Sequence, residues 1–212
     1  MARISADLFP LPLHPTLNLR VRVDLNEPAW AGCNVILAMV MQSPHPYAVT
    51  THICVHPDIL QEFWRHVKLL HKGRLTCIGS WVMGKAIILG EDVIREVLNL
   101  NDDNNILTFT RHQLNNTLTQ MGYNVEDPNR PITKSDFIKP WQFLVKQLWI
   151  CFSKKVVNFH EIYWSLMEPV HAMVQEVPYN FSHYLMKDLT SNLWSNRSFL
   201  VYPCFLIRVI TS

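Results

Sequence analysis

Three side chains able to hold a metal alternate at His52, Cys54 and His56. On a strand, residues two apart share a face, so all three would project together, and zinc accepts both imidazole and thiolate. A fourth ligand would have to come from a distance, with Cys77 the candidate, whereas structural zinc sites carry tighter paired spacings. A histidine directly before a helix-opening proline, as His56 stands before Pro57, also serves simply as a cap or surface residue. A second chemistry is offered by Asp102-Asp103, since phosphoryl transfer and nucleic-acid cleavage use convergent carboxylates to hold magnesium. That pair lies in a stretch of Asn and Asp whose simplest role is a solvated connection. On these spacings no catalytic residue and no metal site is assigned, and His52, Cys54 and His56 stand as the candidates for one.

Other chemistries are less well served. His66 and His71 are five apart and do not share a helix face as the two histidines of a His-Glu-x-x-His helix do. Cys151 falls inside an apolar helical stretch, and no Gly-x-Ser-x-Gly elbow is present to expose a serine nucleophile. The six glycines form no phosphate-cradling loop, so no nucleotide cofactor is expected. A binding chemistry fares better: residues 134–212 hold eight Lys/Arg against five Asp/Glu, with aromatics among them. Lys139, Lys146, Lys154 and Lys155 are the candidate nucleic-acid-binding residues, because a basic face with interleaved aromatics can follow a single strand. The aromatics there also fit the apolar faces of helices and serve as core.

These residues must be placed by a chain of 212 residues that is 49% hydrophobic and 17% charged, with a net charge of +2. Such a composition excludes disorder along the whole length and supplies one sizeable core. It excludes a global electrostatic footprint for nucleic acid or anionic lipid, so any such partner meets a local patch. Residues 1–50 hold six of the thirteen prolines and read as a poorly ordered leader. Residues 51–212 read as one mainly helical domain, an irregular helical bundle with one small β-hairpin.

Within that domain, Pro57 opens a helix carrying Ile59, Leu60, Phe63, Trp64, Val67 and Leu70 at helical spacing. Two apolar runs, 75–82 and 86–89, flank Met83-Gly84 and form the hairpin. Glu91 and Asp92 start a short helix with Val93, Ile94, Val97 and Leu98, and Leu114, Leu118 and Met121 define another that ends at Gly122. Trp141, Leu144, Val145, Leu148, Trp149 and Phe152 predict a central core helix. Asn158 and Glu161 resemble a capping box opening a helix that Pro169 should kink, and Ser182 can cap the next. A last apolar stretch, 205–210, stops soon after it starts, which suggests truncation at the C-terminus.

Five widely spaced cysteines without a Cys-x-x-Cys pair read as reduced thiols. Asp7, Pro10, Pro12 and Pro15 interrupt any signal-peptide segment, so the expectation is an intracellular protein, in cytoplasm or nucleus. The longest nearly uncharged run, 29–41, is too short for a membrane span.

In order along the chain stand His56-Pro57-Asp58-Ile59-Leu60-Gln61-Glu62-Phe63-Trp64, Gly84-Lys85 with Ile87, and Glu91-Asp92-Val93-Ile94-Arg95-Glu96-Val97-Leu98. Then come Met121-Gly122-Tyr123, Pro140-Trp141-Gln142-Phe143-Leu144, Cys151-Phe152-Ser153-Lys154-Lys155, Asn180-Phe181-Ser182 and Phe199-Leu200-Val201-Tyr202-Pro203. With this series the chain, over about residues 56–210, resembles the plant transposon protein domain family of retrotransposon-derived plant proteins. Members have a Trp near Phe159 and an Arg after the final Tyr-x-Pro, where this chain has Cys204. The resemblance implies origin and a mainly helical fold with a small hairpin; it brings no settled biochemical activity.

The expectation is therefore a non-enzymatic, retroelement-derived domain that works by assembly or by binding nucleic acid or another partner, with no cofactor and no membrane association. The alternatives are a metal-dependent nuclease or integrase-like enzyme using Asp102, Asp103 and a further carboxylate, or zinc at His52, Cys54 and His56, and a decayed fragment with no selected function.

Overall fold

The computed structural model describes residues 56–72, 75–100, 102, 108–124, 131–138, 141, 142, 145, 161–194 and 202–212. Of these, 58% are helical and 18% lie in strands. The expected mainly helical class is observed, and in place of the one small hairpin expected, the described residues form a three-stranded and a two-stranded antiparallel sheet. No helix among the described residues is long and apolar enough to cross a membrane.

Helix α1, Pro57–His66, starts where proline's fixed φ suits the first turn, with Asp58 there and Arg65 and His66 in the last turn, as the helix dipole favours. Its apolar stripe buries Leu60, Phe63 and Trp64. The helix ends at His66, short of the predicted continuation to Leu70, because Val67 turns extended and the chain enters a strand. Strands β1, Lys68–Lys72, β2, Leu75–Val82, and β3, Lys85–Leu89, form an antiparallel meander in the order β1-β2-β3. The expected hairpin is the β2–β3 half of it, turning through Met83 and Gly84, both at positive φ, the backbone that a two-residue hairpin turn requires. The third strand, β1, is a correction: Leu70 recurs three residues after Val67, so helical spacing hid it. Ile78, Val82 and Leu89 face α1, and Ser80 Oγ donates to the Phe63 carbonyl at 2.6 Å.

Helix α2, Glu91–Val97, is followed by Asn99 in the left-handed region, and the Leu100 and Asn99 amides donate back to Arg95 and Glu96. Helix α3, Arg111–Gln120, opens on a reciprocal capping box between Thr110 and Gln113 and closes, as expected, at Gly122, with the Tyr123 amide reaching the Leu118 carbonyl at 2.9 Å. The Asn158/Glu161 capping box is not what starts the next helix. Glu161–Ile162 is instead strand β5, paired with β4, Ile132–Thr133, and helix α4 runs Trp164–Gln175 with Pro169 inside it. Helix α5, Phe181–Trp194, is capped by Asn180, whose Oδ1 accepts from the His183 amide at 2.8 Å, so the helix starts two residues earlier than predicted and Ser182 lies inside its first turn. Of the predicted core helix, Trp141, Gln142 and Val145 are helical and Val145 is fully buried; the rest lies outside the described residues.

Helix α6, Pro203–Thr211, seats the last apolar stretch. Phe205, Leu206, Ile207 and Val209 are buried, Leu206 among Leu89, Ile94, Leu98 and Leu185, and Arg208 Nε donates to the Val97 carbonyl at the end of α2 at 3.0 Å. The stretch thus has packing partners on α1, α2 and α5.

One histidine of the core carries a pH signature. His171 on α4 lies against Phe109, ring centroids 4.3 Å apart, and its Nδ1 is 2.7 Å from Thr117 Oγ1. Gln175 Nε2 donates to that same hydroxyl at 3.3 Å, so the imidazole, the hydroxyl and the amide form one network. Burial pushes the His171 pKa below its ordinary 6.5. The unfolded chain therefore takes up this proton first as pH falls. Stability is full above about 6.5 and is lost as pH drops through that value toward the depressed folded one. Urea unfolding between about pH 5 and 8 should show this loss, and His171→Gln should flatten it; an unchanged profile would locate the dependence elsewhere.

Candidate nucleic-acid interface

Lys139, Lys146, Lys154 and Lys155 all lie outside the described residues, as do His52, Cys54, Asp103 and Cys151. His56 is exposed at the start of α1 and makes no side-chain cap bond. Cys77 is a half-buried free thiol on β2. Among the described residues no three His, Cys, Asp or Glu side chains converge as a metal would need. His66 and His71 are exposed; His66 Nδ1 lies 3.1 Å from the Trp81 carbonyl and His71 Nδ1 lies 3.5 Å from Thr76 Oγ1.

Asp102 has a different occupation from the one its type suggested. Its Oδ1 takes a 3.1 Å ion-paired hydrogen bond from Arg95 Nε, and its Oδ2 accepts from the Ser182 amide in the first turn of α5 at 2.7 Å. Arg95 Nη2 also donates to Ser182 Oγ at 2.9 Å, so the carboxylate ties α2 to the N-terminus of α5. A second tie joins the same helices, His183 Nδ1 donating to Glu91 Oε1 at 2.7 Å.

The described residues bring together a surface that the sequence reading passed over. Between Phe63 and Gly90 the chain has five cationic residues, Arg65, Lys68, Lys72, Arg74 and Lys85, and no Asp or Glu. That span is the end of α1 and the whole β1–β3 sheet. Alternation sends Ile78, Ser80 and Val82 toward α1, and leaves Lys68, Leu70, Trp81, Ala86 and Ile88 on the outer face. There Trp81 is 51% exposed, Ile88 60% and Leu70 40%, an apolar, partly aromatic face on a sheet whose net charge is strongly positive. Lys68 pairs in register with Gly79, as does Ile88 from the other side, and Trp81 is the next outward residue of β2. A Cβ at Gly79 would come within 2.6 Å of Leu70 Cδ1, so Leu70 packs over the glycine and a side chain there would push it aside. A sheet face with the exposed Trp81 indole and the exposed Lys68 offers stacking for bases and attraction for phosphates. The signal was present in the sequence as an acid-free cationic run; what hid it was that Trp81 alternates with core residues.

No family model, curated protein or solved structure matches the chain.

Proposed function

We propose that this chain is a non-enzymatic, intracellular, retroelement-derived domain, an irregular helical bundle around a small sheet, that binds single-stranded nucleic acid on the outer face of β1–β3. The retroelement origin is supported by the ordered motifs between residues 56 and 210. The observation that carries the binding reading is the coincidence of exposed Trp81 with an acid-free run holding five Lys/Arg. Lys139, Lys146, Lys154 and Lys155 are a second candidate set of basic residues in this reading. The nuclease alternative loses support from Asp102, whose two oxygens are engaged by Arg95 and Ser182.

Fluorescence anisotropy of the full chain against single- and double-stranded DNA and RNA over a salt series tests this. Single strands should bind more tightly, with affinity falling steeply as salt rises. Trp81→Ala should weaken binding by about tenfold, the scale of one lost base stack. Lys68→Glu should weaken it further and flatten the salt dependence, since each phosphate contact on a single strand contributes about 0.7 to the slope. Charge reversal at Lys154 and Lys155 measures the second basic stretch. Salt-insensitive binding, or affinity unmoved by Trp81→Ala, would remove the sheet face from the function.

A further inference from the structure

A cavity of ≈170 Å³ lies where α4 meets the start of α5, lined by Ser165 and Glu168 of α4, Tyr179 of the link, and Tyr184, Lys187 and Asp188 of α5 among others. Engineered protein cavities of about 150 Å³ admit a guest the size of benzene, so this one has room for a small organic group. The Tyr179 and Tyr184 rings form a corner, centroids 6.4 Å apart and planes inclined by 51°. Phe109 stacks on Tyr179 at 5.8 Å and Phe181 meets it edge-on at 5.0 Å, which fixes the ring in place. Tyr179 Oη donates to Glu168 Oε2 at 3.0 Å, and Tyr202 Oη donates to Asp188 Oδ2 at 2.8 Å. Both carboxylates are thereby held at the cavity wall by rigid phenols.

The lining is electrically lopsided. Glu168 and Asp188 set two negative charges against exposed Lys187, while His183, also in the lining, is engaged by Glu91 outside it. Burial first, and then these two carboxylates, raise both phenols well above their ordinary range, so Tyr179 and Tyr184 stay neutral and offer π-faces and hydroxyls only. An inorganic divalent ion wants six or more oxygen ligands, a demand that two carboxylates committed to tyrosines and bordered by rings do not meet. An alkylated ammonium asks for what is present: a diffuse positive charge beside carboxylates, and methyl groups against aromatic faces.

We propose that this cavity binds a small alkylammonium ion, with Glu168 and Asp188 as counter-charges and Tyr179 and Tyr184 as the cation-facing rings. The site is independent of the sheet face and of the nucleic-acid reading.

The test is an NMR titration of the full chain with choline, reading the ring resonances of Tyr179 and Tyr184. Saturable shifts at those rings are expected, with 3,3-dimethylbutan-1-ol, the neutral isostere of choline, binding about tenfold more weakly or less. Glu168→Gln should weaken choline about tenfold by removing one counter-charge. Ser165 is exposed on α4, so Ser165→Lys leaves the fold intact and puts a competing ammonium at the rim; it should abolish choline binding. A trimethyl-lysine peptide that shifts the same resonances more tightly than choline supports the site and identifies a protein side chain as the source of the cation. Equal binding of the neutral isostere, choline binding that survives Ser165→Lys, or no saturable shift at the two rings overturns the proposal.

Discussion

Asp102→Ala is expected to lower the free energy of unfolding by about 4 kcal/mol, the scale of breaking a buried charged pair from one side. The Asp102 side chain is 0% exposed and that of Arg95 23%, so the guanidinium left behind keeps only part of its hydration. The Ser182 amide loses its acceptor as well, and it is one of the first amides of α5, which have no partner inside the helix. Asp102→Asn keeps an acceptor but not the charge, and should cost about half as much. Urea unfolding of both variants reads these values, and a double cycle with Arg95→Ala should show strong non-additivity because the residues share one network. The result separates two views of Asp102. A carboxylate kept for metal chemistry strains the fold, and its removal leaves stability unchanged or raised; a carboxylate that ties α2 to α5 cannot be removed without loss. A destabilisation below about 1 kcal/mol would return Asp102 to the list of catalytic candidates.

Trp64→Ala should cost a similar amount, about 4 kcal/mol, whereas Trp64→Phe should change stability by less than about 1 kcal/mol. Trp64 is 1% exposed on α1, edge-on to Phe63 at 5.6 Å, in the helix that packs on both β2 and α6. Truncation to alanine opens a large cavity in a helix face held between two neighbours, neither of which can collapse into it freely. The phenylalanine variant loses some area but also deletes an indole N–H that finds no hydrogen-bond partner among the described residues. A buried unsatisfied donor costs roughly 1–3 kcal/mol, which offsets the lost area. Thermal or urea unfolding decides the matter: a Phe variant as unstable as the Ala variant would mean that the indole nitrogen is satisfied in solution and that shape alone does not govern this site.

Local rules made much of this fold readable, and long-range ones did not. Pro57 and the stripe of Leu60, Phe63 and Trp64 announced α1, and Met83-Gly84 announced the β2–β3 turn, because each depends on conformations settled within a few residues. Gly122 marked the end of α3 for the same reason. The end of α1 was missed because Val67 and Leu70 stay in helical phase while the backbone has already become extended. Thr110 and Gln113 stand in the spacing of a capping box and were overlooked, while Asn158 and Glu161 share that signature without starting a helix at Glu161. The bond from Asp102 to Ser182 crosses eighty residues, and no spacing rule reaches that far. At the sheet, the cations and Trp81 were visible singly; only the register of β1 against β2 places Lys68 beside Gly79 and so assembles a face.

The seat of α6 has a kinetic meaning. Arg208 closes on Val97 across 111 residues, and Leu206 meets Leu89 and Ile94 over a comparable separation. A chain made from its N-terminus completes α1, the sheet and α2 long before the residues that cover them exist. Until residues 205–209 arrive, Leu89, Ile94 and Leu98 lack one wall of their packing. Closing so long a loop is entropically slow, so the final docking of α6 is the expected rate-limiting step of folding, and the nascent chain spends its synthesis with an adhesive apolar groove that must be shielded from other chains.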